Sequence, residues 1–549
     1  MNTLKLTNSP ADLAQAAHII KKGGLVAIPT ETVYGLAANA LDECAVAGIF
    51  AAKGRPPDNP LIVHIAKRED MFRLARTVPQ EALLLSRAFW PGPLTVILKK
   101  RAVVPDIVTA GLDTVAIRMP KHPDARKIIE LCDLPLAAPS ANISGKPSPT
   151  SAAHCTHDLD GRISAVVDGG SCAVGIESTV VSLAGNEPVV LRPGKITVEQ
   201  LETVLGRKVA VHSAVGGGMD EDEVSPSPGM KHRHYSPKGK LVLIRSGLEA
   251  FAKYIYEDDP SDSACALCFD GEEGFLPVPA VSYGRRGDFA AQGERLYDCL
   301  RALDDEEADV IYTRAPVNFG LGAAVYNRLF HAAGREVVSL VGGTAVIGIT
   351  GSSGAGKSTA GKIFTGLGVP SVDADRITRR ILFRDSLVYR RLVTEFGKGI
   401  LDGKKNINRR LLAAKAFATP EDTEFLNRVT HPEIIKRIRS RIRNKKKRGC
   451  EMLLLDAPLL LESHADFLCD YVIAVTAEED SRMKRVCSRD CQTAEEIQLR
   501  FSAQRPDDFY RAGSDFHVIN DGTEQDLEIQ IKKIFTEIKG DIHEIFSQN

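Results

Sequence analysis

Gly351 and Gly356 bracket four residues and are followed at once by Lys357 and Ser358, which is the G-x-x-x-x-G-K-[ST] spacing of a phosphate-binding loop. Glycines at 351, 354 and 356, with Ala355 among them, let the turn curl until successive backbone N–H groups point at phosphate oxygens. A helix starting over Lys357, Ser358 and Thr359 adds the positive end of its dipole. Lys357 can then reach the β/γ-phosphates of a nucleoside triphosphate, and the Ser358 hydroxyl can hold Mg²⁺. Downstream, Asp373 and Asp375 end a second short apolar run, where a carboxylate can take the proton of a substrate hydroxyl during phosphoryl transfer. Read alone, either is equally an Asp that caps the next helix. Leu453-Leu-Leu-Asp456 reads as a strand ending in an acid, a partner for Mg²⁺ through water. Arg482, Arg485 and Arg489 share one helical stripe and suit a cationic lid.

A second set of chemistry-bearing residues lies far upstream, in four stretches rich in small polar and cationic side chains. They are Thr30-Glu-Thr32 with Tyr34, Lys53 with Arg55 and Asn59, Ser140-Ala-Asn142 through Ser148, and Glu177-Ser178-Thr179 with Leu191-Arg192-Pro-Gly194. Each alone reads as a solvated face. Together they describe cations and hydroxyls at strand ends, which suits a polyanion such as a triphosphate.

These two sets cannot share one core. A chain of 549 residues implies three or four units of ordinary domain size, and the phosphate loop begins only at residue 351. The formal net charge of −1 advertises neither a nucleic-acid coat nor a membrane surface. The 11 cysteines lack zinc-site spacing and read as reduced thiols, no apolar run reaches membrane-spanning length, and no leader precedes the first helix, so a cytoplasmic protein is expected. Residues 1–205 alternate helical and strand patterns (helices over 11–23 and 81–89, strands over 25–29, 60–65, 94–98 and 115–119) and predict a mixed α/β domain. Residues 206–238 are too rich in Gly, Pro and Ser for a helix or central strand and predict a linker or lid. Residues 239–342 alternate apolar runs with helices over 249–256, 288–303 and 322–333, which predicts a small, parallel, Rossmann-like α/β unit. Residues 344–549 predict a kinase-type domain with a parallel sheet.

The first 342 residues resemble the YrdC/YciO family, threonylcarbamoyl-AMP synthases of the longer, two-domain type. The resemblance is carried by PTETVYGL (29–36), KGRPPDNPL (53–61), SANISGKPSPT (140–150), ESTVV (177–181), LRPG (191–194), SPGMKHRHYSP (227–237) and GLGAAVYNRLFHAAG (320–334). It implies condensation of L-threonine, bicarbonate and ATP into threonylcarbamoyl-adenylate with release of pyrophosphate, the product passing to a tRNA-modifying transferase. Carried over by position, Thr32, His64, Arg118 and Ser178 hold threonine. Lys53, Arg55, Asn59, Ser140, Asn142, Ser148 and Arg192 surround the ATP phosphates, with Lys53 and Arg55 as the catalytic cations, and Tyr235 closes over the nucleotide with Lys231 and Arg233 beside it. The 239–342 unit shows no catalytic constellation of its own, and its role is left open between structural and regulatory.

Residues 344–540 resemble dephospho-CoA kinase, through the Asp373-Ala-Asp375 stretch with Arg379, Asn408-Arg409, FLNRVTHPEI (425–434), DAPLLLE (456–462), MKRVCSRD (483–490), Gln504 and VINDG (518–522). The resemblance implies ATP-dependent phosphorylation of the 3′-hydroxyl of dephospho-CoA, with Asp375 as general base. Asp373, Asp375, Arg379, Arg409 and His431 would hold dephospho-CoA, and Arg485 and Arg489 would meet ATP. Asn408 departs from the family's more common Asp. The alternatives are another P-loop nucleoside or nucleotide kinase for this half, and an RNA-binding module without synthase activity for the first. A weak tRNA contact is the remaining expectation. The run 436–448 has nine cations in thirteen residues and invites a nucleic-acid reading, but with Ile438 and Ile442 turned inward it reads as a solvated helix face.

Overall fold

The computed structural model describes residues 2–215, 235–258, 260–341, 344–457, 459–490, 494–502 and 504–548. Lys231, Arg233 and most of the expected linker lid lie outside the described residues. The chain divides into two compact units, residues 1–244 with 255–338 and residues 245–254 with 339–549.

In the first unit, an eleven-stranded sheet runs in the spatial order Leu4–Leu6, Ala165–Val167, Val26–Ile28, Gly35–Asn39, Leu136–Ala137, Ile62–His64, Thr114–Arg118, Leu94–Lys99, Thr179–Ser182, Val189–Arg192, Ala210–Val211. It is mixed, as the irregular alternation of helical and strand patterns implies. Ile62–His64 lies parallel to Thr114–Arg118 with His64 opposite Arg118, and Leu94–Lys99 lies antiparallel to Thr114–Arg118 with Thr95 opposite Arg118. Leu94–Lys99 also runs parallel to Thr179–Ser182, with Leu94 opposite Thr179. Strand ends carrying His64, Arg118, Thr95 and Ser178 are thereby brought to one edge of the sheet. The helix Glu43–Lys53, N-capped by Asp42, ends at Gly54, whose left-handed φ of 62° turns the chain so that Lys53 and Arg55 point to the same edge.

A five-stranded sheet follows, ordered Ala280–Ser282, Cys265–Cys268, Val310–Arg314, Lys240–Arg245, Val337–Ser339. Its described pairings are parallel, as the alternation of strands and helices predicts. Its core takes in Val33, Val174, Ile176 and Tyr235 from the first domain and linker, so the two sheets of this unit share one apolar cluster. At Gly175 the contact is backbone on backbone. Its φ is 74°, and a Cβ there would fall 2.3 Å from both Glu294 Cα and Gly293 O in the helix Phe289–Asp305.

The second unit holds a five-stranded sheet ordered Ser371–Asp373, Met452–Asp456, Ala345–Thr350, Tyr471–Thr476, Phe516–Ile519, every pairing parallel. Ala345–Thr350 is buried along its whole length, which is why it reads as an unbroken apolar run. The cationic run lies on the helix Pro420–Lys446 with Ile438 and Ile442 buried, as its spacing predicts.

Candidate functional sites

The sheet edge in the first unit opens into a pocket of about 560 Å³, with Thr32, Arg55, His64, Arg118, Ser140, Ser178, Arg192 and Tyr235 on its wall. Three guanidiniums, Arg55, Arg118 and Arg192, face it against the carboxylate of Glu177. Arg118 Nη1 donates to Thr32 Oγ1 at 2.9 Å and Nη2 pairs with Glu31 Oε1 at 2.8 Å, which fixes the fork in place. Arg192 donates to Ser178 O and Oγ at 3.1 and 3.2 Å, and Ser178 Oγ and Thr95 Oγ1 are hydrogen-bonded at 2.7 Å. Burial and the neighbouring Arg192 pull Arg55 down to about 10, partly offset by Tyr235. A buried cation under that penalty gains from an anion brought within reach. Burial, with Arg118 adding to it, takes His64 down to about 3, so its ring is neutral, and Nδ1 is buried without a hydrogen-bond partner. A neutral imidazole with a spare nitrogen on a pocket wall is placed to meet a ligand hydroxyl or amine.

The remaining expected residues sit behind this wall. Lys53, 1 % exposed, donates Nζ to the carbonyls of Ser140 and Asn142 and, at 3.2 Å, to Asn142 Oδ1. Burial, then Arg55, pulls its pKa well below the ordinary lysine value. Lys53, expected to meet phosphate, is in this structure engaged by these oxygens and shapes the Ser140–Asn142 turn. Asn142 is likewise turned inward, donating Nδ2 to Ile143 O and Lys146 O at 2.9 and 2.8 Å. Ser148 donates to Glu177 Oε1 at 2.6 Å, and Asn59 is buried with Oδ1 unpartnered. Sequence reasoning named Glu31 within the Thr30–Thr32 stretch without a role, and it missed Thr95 as well as Tyr297 and Arg328, which reach Glu177 from the five-stranded domain. A cation on the apolar face of the 322–333 pattern was the one available signal for Arg328.

In the second unit the loop after Ala345–Thr350 leads into the helix Lys357–Gly366. Gly351, Gly354 and Gly356 have φ of 133°, 81° and 108°, and a Cβ on Gly351 would fall 2.0 Å from Val475 O, so the loop is built for glycine. Lys357 Nζ donates to Gly351 O and Ser352 O at 2.7 and 2.9 Å; Ser358 is exposed, Thr359 half-buried and Ala355 buried. Asn520 Nδ2 donates to Ala355 O at 2.7 Å, and Arg485 Nη2 to Asn520 O at 2.8 Å. Arg482 Nε donates to Ser353 O at 3.0 Å with its guanidinium 4.2 Å from the Phe501 ring centre, while Gln504 Oε1 accepts from Ser353 N at 3.0 Å. Arg482 and Arg485 thus hydrogen-bond to the phosphate loop and to Asn520 beside it, and Arg489, on the same helix, is exposed.

Asp375, Arg409 and His431 line a pocket of about 1190 Å³ whose other walls are mainly apolar, including Leu382, Phe417, Leu426 and Ile434, with Thr378, Asn427, Thr430 and Ser463 among them. Asp375 lies in the first turn of the helix Ala374–Ile381, and Asp373 is its N-cap, accepting from Arg376 N at 2.8 Å. The capping alternative therefore holds for Asp373, and Arg379 is exposed further along the helix. Asn408 caps the helix Arg409–Ala416 through Arg410 N and Leu411 N at 3.0 and 3.3 Å, a job Asn does as well as Asp. Burial, with His464, lowers the His431 pKa. Asp456 is paired in register with Asp373; burial and then Asp373 and Asp375 raise its pKa, against the pull of Lys357. Such mutually repelling carboxylates beside a phosphate loop favour a divalent cation. Among the described residues no group of three or more His, Cys, Asp or Glu is arranged to hold a metal unaided.

A family model described as telomere recombination matches residues 18–194, one described as the threonylcarbamoyl-AMP synthase C-terminal domain matches 196–334, and one described as dephospho-CoA kinase matches 345–526. A threonylcarbamoyl-AMP synthase of Pyrococcus abyssi is 46 % identical over 333 residues, covering 59 % of this chain and 95 % of that protein. A dephospho-CoA kinase of Corynebacterium glutamicum is 34 % identical over 192 residues, covering 35 % of this chain and 96 % of that protein. The chain belongs to both families, the first in its N-terminal part and the second in its C-terminal part. A crystal structure of P. abyssi Sua5 complexed with L-threonine superposes on the synthase part with a TM-score of 0.58 and 42 % identity, covering 62 % of this chain and all of that one. The pocket with Thr32, His64, Arg118 and Ser178 therefore lies in the synthase part, and the phosphate loop with Asp375 in the kinase part.

Proposed function

We propose that this chain is a bifunctional enzyme with two separate ATP sites. The N-terminal part joins L-threonine, bicarbonate and ATP into threonylcarbamoyl-AMP and pyrophosphate, and the C-terminal part transfers the γ-phosphoryl group of ATP to the 3′-hydroxyl of dephospho-CoA. The observation that carries the first activity is one pocket with a carboxylate-type fork at Arg118 beside His64 and Thr32, and phosphate-type cations at Arg55 and Arg192. Arg118 would offer the N–H groups not held by Thr32 and Glu31 to the threonine carboxylate, leaving the amine to attack the carbon of CO₂, with loss of the amine proton, or of bicarbonate, with loss of water. The carbamate oxygen then attacks the α-phosphate, and Arg55 and Arg192 neutralise the charge that builds before pyrophosphate leaves. Positioning and electrostatics suffice for such a reaction.

For the kinase, the carrying observation is Asp375 on the wall of a mainly apolar pocket, in the unit that holds the phosphate loop. Asp375 would accept the hydroxyl proton as the oxygen attacks the γ-phosphorus, while Lys357 balances the β/γ-phosphates. The apolar walls suit the uncharged arm of dephospho-CoA, and Arg409 its phosphates. Mg²⁺, carried on ATP and held by Ser358 and Asp456, would supply charge neutralisation between the phosphates. Threonylcarbamoyl-AMP would pass to a tRNA-modifying transferase, with at most a weak tRNA contact of this chain's own. Among the described residues no helix is long and apolar enough to cross a membrane, and we assign the enzyme to the cytoplasm. The test is two assays on one preparation: pyrophosphate release dependent on threonine plus bicarbonate, and ADP release dependent on dephospho-CoA. Absence of either removes that half of the proposal.

A further inference from the structure

The synthase pocket is walled by two segments that meet nowhere in sequence, Glu177-Ser178 and Arg192-Pro193. They meet as antiparallel neighbours, with Arg192 bonded to Ser178, and one side chain from the five-stranded domain adds a further tie between them. Arg328, on the helix Gly322–Ala332, is 0 % exposed. Its Nε donates to Glu177 Oε2 at 2.9 Å, its Nη2 to Glu177 O at 3.0 Å, and its Nη1 to Pro193 O. The two carbonyls it grips belong to the residues adjoining Ser178 and Arg192. The Glu177 carboxylate it pairs with also accepts from Ser148 and, through both oxygens, from Tyr297 OH at 3.1 and 3.0 Å. Burial works against the charge on Glu177, but Arg328, Arg192 and Ser148 outweigh it and hold the carboxyl below its usual value. Tyr235 lies over this node, with its ring 5.9 Å from the Arg328 guanidinium and 5.6 Å from the Tyr297 ring.

We propose that Arg328 is a positioning residue of the synthase site, setting the spacing between the Ser178 and Arg192 walls, so that the five-stranded domain completes the pocket it adjoins. The inference rests on the synthase reading given above. A lysine at 328 keeps the charge beside Glu177 but cannot reach both carbonyls, because only the guanidinium spreads its donors over a fork. Glutamine loses the charge as well. Both walls should then drift together, and the KM values for threonine and ATP should rise in step.

The test uses the full chain with Arg328→Gln, Arg328→Lys and Tyr297→Phe, with the melting temperature of the synthase unit as the standard for folded protein and kinase activity as the standard for intact chain. Arg328→Gln is expected to raise both KM values by about tenfold or more, a size that follows from displacing binding groups by a fraction of an ångström. Arg328→Lys should fall between it and wild type, Tyr297→Phe should give about a twofold to fivefold rise through the lost hydrogen bonds, and kinase kcat should not move. Unchanged KM values in folded Arg328→Gln, or a lower kcat at unchanged KM that tracks a lowered melting temperature, would overturn the inference and leave Arg328 a scaffold residue. If Arg328→Gln does not fold, Tyr297→Phe decides, since it deletes one oxygen and no volume; unchanged KM values there count against the proposal. Calorimetric threonine binding separates the two readings. A wild-type chain that binds threonine without releasing pyrophosphate ends the synthase reading, whereas an unchanged threonine Kd in Arg328→Gln ends the positioning role; no threonine binding at all ends both.

Discussion

The two ATP-handling regions of this chain solve one problem, holding a triphosphate, by opposite constructions. The kinase site is local: a buried strand, one loop and one helix supply backbone N–H groups, Lys357 and Ser358 within fifteen residues, from 345 to 359. The synthase pocket is assembled: its guanidiniums at 55, 118 and 192 come from three separate strand ends or turns of an eleven-stranded sheet, and the node behind them is finished by Arg328 and Tyr297 of a different sheet. A local site concentrates its function in few residues whose loss is absolute. In an assembled site, binding is shared among many buried contacts, so single losses should be graded and should appear in substrate affinity as much as in turnover.

The sharpest way to break this contrast is Lys357→Ala. It should lower dephospho-CoA-dependent ADP release by about 10³-fold or more, because it removes the charge on the β/γ-phosphates, and leave threonine-dependent pyrophosphate release unchanged. Loss of both activities in a folded protein would mean that the ATP sites are not independent. Asp375→Asn comes next, with kinase kcat down by about 10²-fold and ATP affinity nearly constant; near-normal turnover would move the base elsewhere, with Asp373 disfavoured because it is already engaged as a cap. On the assembled side, Arg118→Lys should raise the threonine KM by about tenfold through loss of the fork, while kinase kinetics stay put. An unchanged KM would detach Arg118 from the substrate carboxylate.

The smallest effect concerns pH. His64 is neutral in the fold, with a pKa of about 3, whereas its unfolded value is near 6.5. The unfolded chain therefore binds this proton first as pH falls. The stabilisation is complete above about pH 6.5 and is lost progressively down to about pH 3, by at most about 1.4 kcal/mol per pH unit. The synthase unit should melt lower at pH 5 than at pH 7, and His64→Asn should lose less over that interval. Equal losses in the variant and wild type would show that other groups set the acid limb.

What the sequence disclosed follows the same division. The phosphate loop could be read outright because its meaning lies in contiguous spacing, and the parallel sheets follow from buried apolar runs between helices. The synthase residues became legible only as a set of motifs resembling a family, since no single stretch there carries a reaction. Lys53 shows the limit: beside Gly54-Arg55 it looks like half of a phosphate-gripping pair, but whether a helix-end lysine faces a ligand or a carbonyl cage depends on the 140–142 turn, eighty-seven residues on at Ser140. Arg328 was hidden in a helix whose apolar pattern already accounted for itself, and its partner is 151 residues away. The strand Ala210–Val211, which pairs with Val189–Arg192 beyond the boundary drawn at 205, is two exposed residues in the apolar run Val209-Ala-Val211, too short to signal a strand. Asn408 worked in the other direction, a departure from pattern that the local backbone absorbs because Asn and Asp cap alike.

The bare-backbone meeting of Gly175 with Gly293 and Glu294 fixes the tolerance of the joint between the two sheets of the first unit. A joint made of side chains can be re-shimmed: a bulkier residue on one face is answered by a smaller one opposite. Here no side chain remains to trim, so an added methyl acts as a wedge, and the only relief is to shift one domain against the other. Two positions away stands Glu177, the residue Arg328 grips. Clearance at this seam and alignment of the pocket wall are therefore one mechanical quantity, which makes Gly175 a gauge block for a site it never touches.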